Sequence, residues 1–168
     1  MGGVKTYKKP FKRAIVGGAF DRLHKGHRRL LEVASYLADD ILIGLADGPL
    51  LTGKPLNELI MPYNERKKRL ESFLNERGVN FHIVRIVDPI GPASEDEEAD
   101  IIVVTPETYE RALLINEERE KRGLKELIIV VVPLVKAEDG KPLKSSRIRY
   151  GEIDEEGRLL RPKSRKHF

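Results

Sequence analysis

The chain predicts an α/β fold: a doubly wound, five-stranded parallel sheet with helices on both faces. Three observations carry this. Short apolar runs and helical patterns alternate along the length. The apolar runs are mostly continuous, as strands covered on both faces require. Segments rich in Gly, Pro and Asp separate them, residue types that suit turns and loops. The 168 residues read as one domain, with a core over about residues 12–157 and basic ends at 1–11 and 158–168.

Taken in order, Ala14-Ile15-Val16 reads as a short buried strand, and Arg28 to Ala38 as a helix with Leu30, Ala34, Leu37 and Ala38 on one face. Ile41 to Leu45 is the second strand. Asp47 to Pro62, rich in Gly, Pro and Leu, is a long loop. Asn64 suits the cap of a helix running to about Arg77, closed by Gly78. Phe81 to Val87 is the third strand and Asp88 to Glu98 a loop. Ile101 to Val104 is the fourth strand. Thr105 and Pro106 suit the cap and first turn of a helix reaching about Arg122, closed by Gly123. Leu127 to Val132 is the fifth strand. Ala137 to Pro142 is a polar turn, Ser145 or Ser146 opens a short last helix, and Asp154 to Gly157 is a turn. In such Rossmann-like sheets the ligand sits beyond the carboxyl ends of the strands. That expectation gathers Gly17–His27, Asp47–Lys54, Asp88–Ser94, Thr105–Glu107 and Lys144–Arg149 around one crevice.

Composition narrows the function. There is no cysteine, which excludes disulfides, thiol nucleophiles and cysteine-based zinc sites. No apolar run approaches the roughly 20 residues that span a bilayer. Residues 1–11 carry lysines but no apolar stretch of a secretion signal, so the expected location is the cytoplasm. Few Met, no Gln and many Lys, Glu and Arg match a thermophile's usage. Nine of the 31 basic residues stand in residues 1–13 and 161–168, which hold no acid, so the body carries 22 basic against 27 acidic residues. A nucleic-acid domain more often carries its positive charge on the folded body. The ends read as solvated tails, and nucleic acid is not the expected partner.

The chemistry concentrates in Gly17-Gly18-Ala19-Phe20-Asp21-Arg22-Leu23-His24-Lys25-Gly26-His27. Two histidines three apart reach one face of the incoming helix. Gly26 leaves room for a ligand to approach the backbone, and the helix start offers amides and a positive dipole end to phosphate. Ring donors there would stabilise charge on a transferring phosphoryl group. Two competing readings are a pair of exposed loop histidines and a metal pair, which would need a third ligand from His82, His167 or carboxylates. No metal site is expected.

This block resembles that of the nucleotidyltransferases of the HxGH superfamily. Leu143-Lys144-Ser145-Ser146-Arg147-Ile148-Arg149 resembles their second mark, a serine/threonine-rich segment near the C-terminus. Between them stand Gly53-Lys54-Pro55, Tyr63-Asn64-Glu65-Arg66, Asp88-Pro89-Ile90-Gly91-Pro92 and Thr105-Pro106-Glu107-Thr108. With Arg147 to Asp154, they are similar to the archaeal/eukaryotic-type phosphopantetheine adenylyltransferases. Two departures stand out: Ala19 where that family usually has Thr, and an altered serine-rich segment, with Lys144 where the family has a small hydroxyl residue and Ser146 where it has Thr. Lys144 either adds a phosphate contact or points to solvent.

The resemblance implies transfer of AMP from ATP to 4′-phosphopantetheine, giving 3′-dephospho-CoA and pyrophosphate, with Mg²⁺ accompanying ATP and held more by phosphates and water than by protein. It implies catalytic roles for His24, His27, Lys54 and Arg149. It implies ATP contacts from Gly17, Gly18, Ala19, Phe20, Gly26, His27, Thr105, Glu107, Lys144, Ser145, Ser146 and Arg147, and acceptor contacts from Ala19, Asp47 and Lys54. Plainer readings stand beside these: Lys54 as a solvated loop lysine and Arg149 as a surface residue. Asp21 and Asp47, each just past a strand, read either as metal ligands or as turn caps. Three rival functions remain. One is a related enzyme acting on FMN, NMN or a polyol phosphate, one a nucleic-acid module using the basic ends, and one a relative that binds nucleotide without turnover. A monomer or small homo-oligomer fits all of them.

Overall fold

A computed structural model of the protein describes residues 7–160, so the basic stretches at 1–6 and 161–168 lie outside the described residues. Five strands form one sheet: β1 (Phe11–Gly18), β2 (Ala38–Ala46), β3 (Asn80–Ile86), β4 (Ile101–Val104) and β5 (Ile128–Val131). Their order is β3-β2-β1-β4-β5 and every pairing is parallel, as the alternation of elements implied. The helices are α1 (Lys25–Leu37), α2 (Tyr63–Glu76), α3 (Tyr109–Lys121) and the short α4 (Ser145–Arg149).

The strand period of two sends successive side chains to opposite faces. Ala14 and Val16 of β1 join Ile41, Ile43 and Leu45 of β2 in one apolar cluster, closed by Leu31 and Ala34 of α1 and Leu70 and Leu74 of α2. Ile15, Leu42, Ile102 and Val104 face the other way and are covered by Ala112 and Ile115 of α3 and by Ala93 and Ala99 of the β3–β4 segment. Helices therefore cover both faces, and the strand order reverses between β1 and β4, where a crevice opens. Leu70 is fully buried, and its truncation to Ala would cost about 2–5 kcal/mol.

Several expected boundaries move. β1 and β2 extend three residues further toward the N-terminus, because Phe11 pairs with Ala38 and Arg13 with Asp40. Arg13 is no tail residue: its guanidinium bridges Asp40 (2.9 Å) and Asp96 (2.8 Å) at the foot of the sheet. α1 starts at Lys25. Pro62 precedes α2, so Asn64 lies inside that helix and does not cap it. α3 starts at Tyr109, not at Thr105. The Thr108 hydroxyl closes a separate turn by accepting from the Thr105 amide (3.2 Å) and donating to the Thr105 carbonyl (3.4 Å). The 47–62 loop contains two short 3₁₀ turns, Gly48–Leu51 and Asn57–Leu59. Among the described residues, no helix is long and apolar enough to cross a membrane.

Candidate active site

The two histidines build the start of α1 themselves. His24 is its N-cap, and its Nδ1 accepts from the amides of Gly26 (3.0 Å) and His27 (3.3 Å). The His27 Nδ1 accepts in turn from the His24 amide (3.2 Å), so the pair forms a reciprocal capping box out of imidazoles. The rings stack with centroids 3.6 Å apart. Because both Nδ1 atoms accept, the hydrogen-bond pattern assigns the ring hydrogens to Nε2. Burial, with the Arg28 charge behind it, lowers the His24 pKa to about 3. Burial, then His24, Lys54 and Arg28, holds His27 well below the usual histidine range. At neutral pH both rings are uncharged N–H donors.

Two expectations change here. Gly26 is not space for a ligand: a Cβ there would meet His24 Cε1 at 2.9 Å, so the missing side chain makes room for the cap itself. Nor does the first turn of α1 offer free amides to phosphate. Gly26 and His27 donate to the His24 ring, and Lys25 donates to the Glu155 carbonyl at 2.9 Å. The unbonded amides belong instead to Ser145 and Ser146 at the start of α4, which carry no hydrogen bond among the described residues.

The turn leading into the histidines is strained. Phe20 (φ 48°), Arg22 (φ 67°) and Leu23 (φ 34°) all lie in the left-handed region without being glycine. Surrounding bonds hold them there. Asp21, 1% exposed, accepts from the Met61 amide (3.0 Å) and pairs with Arg149 (2.9 Å). The Arg22 Nη2 donates to the Leu59 carbonyl at 2.8 Å, and the Ser145 hydroxyl donates to the Asp21 carbonyl at 3.1 Å. Arg66 is also 1% exposed; its Nη1 donates to the carbonyls of Ala19 (2.9 Å) and Ala46 (2.7 Å), its Nε to Met61 (2.8 Å). One buried guanidinium thus ties together the segment after β1, the end of β2 and the entrance to α2.

These elements surround an open cleft of about 1090 Å³ beyond the carboxyl ends of β1, β4 and β5. Gly17, Gly18, Ala19, Phe20, His24, Gly26, His27, Lys54, Thr105, Glu107, Lys144, Ser145, Ser146 and Arg149 all line it. The Phe20 ring is buried in the core beside His27 (centroids 5.2 Å apart), so it backs the imidazole. Arg149 is held by Asp21 and by the Pro55 carbonyl, which its Nε meets at 3.0 Å, so its side chain is 3% exposed and no surface residue. Lys144 pairs with Glu107 (2.7 Å), an exposed ion pair that links α4 to the β4–α3 turn.

Two of the expected residues lie elsewhere. The Arg147 guanidinium pairs with Asp139 (2.5 Å) and Glu152 (2.8 Å), outside the cleft. Asp47 also lies outside it, paired with Arg85 (2.6 Å) and, more loosely, Arg66 (3.5 Å).

A second, small apolar pocket adjoins the cleft, with Gly17 and Thr108 lining both. Ile15, Leu42 and Ile102 line it from the sheet, Pro92 and Ala93 from the β3–β4 segment, and Arg111 and Ala112 from α3. Sequence reading gave no role to Arg111 or to this cavity.

Residues 15–151 match the model of the cytidylyltransferase-like family. The phosphopantetheine adenylyltransferase of Methanothermobacter thermautotrophicus is 40% identical over 154 residues, covering 92% of this chain and 93% of that one. The chain belongs to the phosphopantetheine adenylyltransferases. The family's enzyme from Thermococcus kodakarensis is 42% identical (91% and 93% covered), and that from Methanopyrus kandleri is 44% identical (86% and 92%). Among solved structures, an Archaeoglobus fulgidus protein of unknown function aligns with a TM-score of 0.64 at 32% identity, covering 71% of this chain and 88% of that one. Pantothenate synthetase of Thermus thermophilus aligns with a TM-score of 0.57 at 17% identity, covering 83% and 62%, a likeness of fold.

Proposed function

We propose that the chain carries out its family's reaction with these groups: a phosphate oxygen of 4′-phosphopantetheine attacks the α-phosphorus of ATP, the bond from that phosphorus to the bridging oxygen breaks, and pyrophosphate leaves with 3′-dephospho-CoA as product. This is a step of coenzyme A synthesis, and its expected setting is the cytoplasm. One observation carries the assignment of the site: Lys54, the paired imidazoles, Ser145, Ser146 and Arg149 line one open cleft beyond the carboxyl ends of the strands.

The acceptor phosphate is ionised at neutral pH, so no base is needed. Neither histidine offers one, because each Nδ1 already accepts a backbone amide. Catalysis rests on positioning and on donors aimed at developing charge. The Nε2–H groups of His24 and His27 donate to the triphosphate. The amides of Ser145 and Ser146 and the hydroxyl of Ser146 hold the outer phosphates. Lys54, whose pKa burial and then Arg111 and Arg149 lower, bridges nucleophile and α-phosphate. Arg149, fixed by Asp21, presents its remaining guanidinium edge to the same phosphates. Mg²⁺ belongs with the triphosphate: among the described residues no group of three or more His, Cys, Asp or Glu side chains could hold a metal, and Asp21 and Glu107 are taken by Arg149 and Lys144.

The test is pyrophosphate release from ATP or CTP with 4′-phosphopantetheine, FMN, NMN and a polyol phosphate. Release with ATP and 4′-phosphopantetheine alone is expected; faster release with another acceptor would overturn the substrate assignment.

A further inference from the structure

We propose that the turn from Asp154 to Gly157 is a positioning clasp for the reaction, holding the imidazole-capped start of α1 at a set distance from the serines of α4. The inference rests on the phosphate contacts proposed above. The clasp grips α1 through its backbone. The His24 ring takes up the amides of Gly26 and His27, which leaves the Lys25 amide over. The Glu155 carbonyl accepts it at 2.9 Å. Two side chains reinforce the grip: Glu156 pairs with Arg28 of α1, and Glu155 with Arg69 of α2 (2.9 Å).

The turn is braced from within. Asp154 Oδ1 accepts from the amides of Glu156 (2.9 Å) and Arg158 (2.8 Å), and the Gly157 amide donates to the Asp154 carbonyl (3.0 Å). It is also seated tightly on the segment that leads into α4. Gly157 has φ 81°, and a Cβ there would meet Leu143 Cδ1 at 3.0 Å and the Ala137 Cα at 3.2 Å. Ile153, fully buried, packs in one apolar cluster with Leu143 and Ala137. On the far side of α4, the Glu152 amide donates to the Arg147 carbonyl (3.0 Å), and its carboxylate pairs with the Arg147 guanidinium (2.8 Å). α4 and the clasp are therefore one packed unit, and that unit meets α1 at the Lys25 amide. A triphosphate held from both elements needs their spacing kept to a fraction of an ångström. Exposed ion pairs alone would hold it loosely. The backbone bond and the apolar seat hold it firmly. Glu155 thus acts through the histidines, as a positioning residue that touches no substrate.

Its test deletes one amide. Proline is favoured at the first position of a helix, and His24 before it already has the extended backbone that a following proline requires (φ −77°, ψ 175°). Lys25→Pro therefore removes the bond to Glu155 and leaves α1 able to form, whereas Lys25→Ala removes only the exposed side chain and keeps the bond. Pyrophosphate release gives kcat and the KM values, thermal melts report folding, and ¹⁵N NMR of labelled histidine reads the two rings without turnover. Lys25→Pro is expected to shift the signals of both rings and to lower kcat about tenfold, as for donors misplaced by about 0.5 Å, with the KM for 4′-phosphopantetheine within about twofold of wild type. Lys25→Ala is expected to keep the ring signals and to hold kcat within about twofold. A kcat for folded Lys25→Pro within about twofold of wild type would overturn the proposal, as would an equal loss in Lys25→Ala. A lowered melting temperature with unmoved ring signals would make the turn a general brace and overturn it too. Should Lys25→Pro not fold, Glu156→Ala takes its place: shifted ring signals with kcat about threefold lower are expected, and unmoved signals would overturn the clasp. The reaction itself is judged apart: wild-type enzyme releasing no pyrophosphate with 4′-phosphopantetheine and ATP would sink the proposed function, while the ring signals still read the clasp.

Discussion

Gly26→Ala is the most revealing single change at this site. Taken as a helix substitution alone it should help, since Ala is favoured over Gly by about 1 kcal/mol in a helix. The structure says otherwise for activity. The new Cβ would lie 2.9 Å from His24 Cε1 and 3.1 Å from Nδ1, where ordinary contacts begin at 3.4 Å. The obstacle is a buried ring, stacked on His27 and bonded to two amides, with no flexible end to swing aside. It must therefore move by about 0.5 Å, close to the tolerance of a preorganised site. Weakening the cap costs about 1 kcal/mol, which roughly cancels the propensity gain. The expected variant melts within a few degrees of wild type yet turns over about tenfold to a hundredfold more slowly, since an error of about 1 Å costs on the order of a hundredfold. Melting curves and pyrophosphate release measured side by side check this. A folded variant whose kcat stays within about threefold of wild type would refute the view that cap geometry sets the donors.

Four further outcomes follow from the same geometry. His27→Ala should lower kcat by about 10²–10³, the cost of one charge-stabilising donor, read by the same assay. Because burial keeps the His24 pKa near 3 against about 6.5 when unfolded, its contribution to stability is intact above pH 6.5 and is lost as pH falls toward 3. Urea titrations should show up to about 1.4 kcal/mol lost per pH unit in that window for this ring, and His24→Asn should remove that share of the slope. Arg66→Met strands three carbonyls and should cost more than about 3 kcal/mol by urea unfolding. Lys144→Ala breaks only an exposed ion pair, so stability should change by less than about 1 kcal/mol, while ATP affinity measured by calorimetry falls about tenfold if the ammonium turns from Glu107 to phosphate.

The sheet was legible because its strands are apolar runs long enough to stand out, and the cleft because Gly17–His27 and Lys144–Arg149 both follow carboxyl ends of strands. The helix starts were less so. Thr105-Pro106-Glu107 carries the signs of a cap, yet Thr108 closes its own turn first. What sequence reading missed was mostly arginine. Arg66 and Arg119 are fully buried and donate to carbonyls far along the chain, Ala19, Ala46 and Ala93 among them. Charged residues carry no apolar periodicity, so nothing in a window around them shows which will turn inward. Asp21 and Arg149 meet across 128 positions, a pairing only the fold brings about.

In this protein one nitrogen atom on each imidazole is spent on folding. An architect wishing to adapt the cleft to an alcohol, which must shed a proton to react, could not recruit either ring without unravelling the first turn of α1. The scaffold has thus committed itself to partners that arrive already ionised, and new chemistry would have to bring its own proton acceptor from another wall.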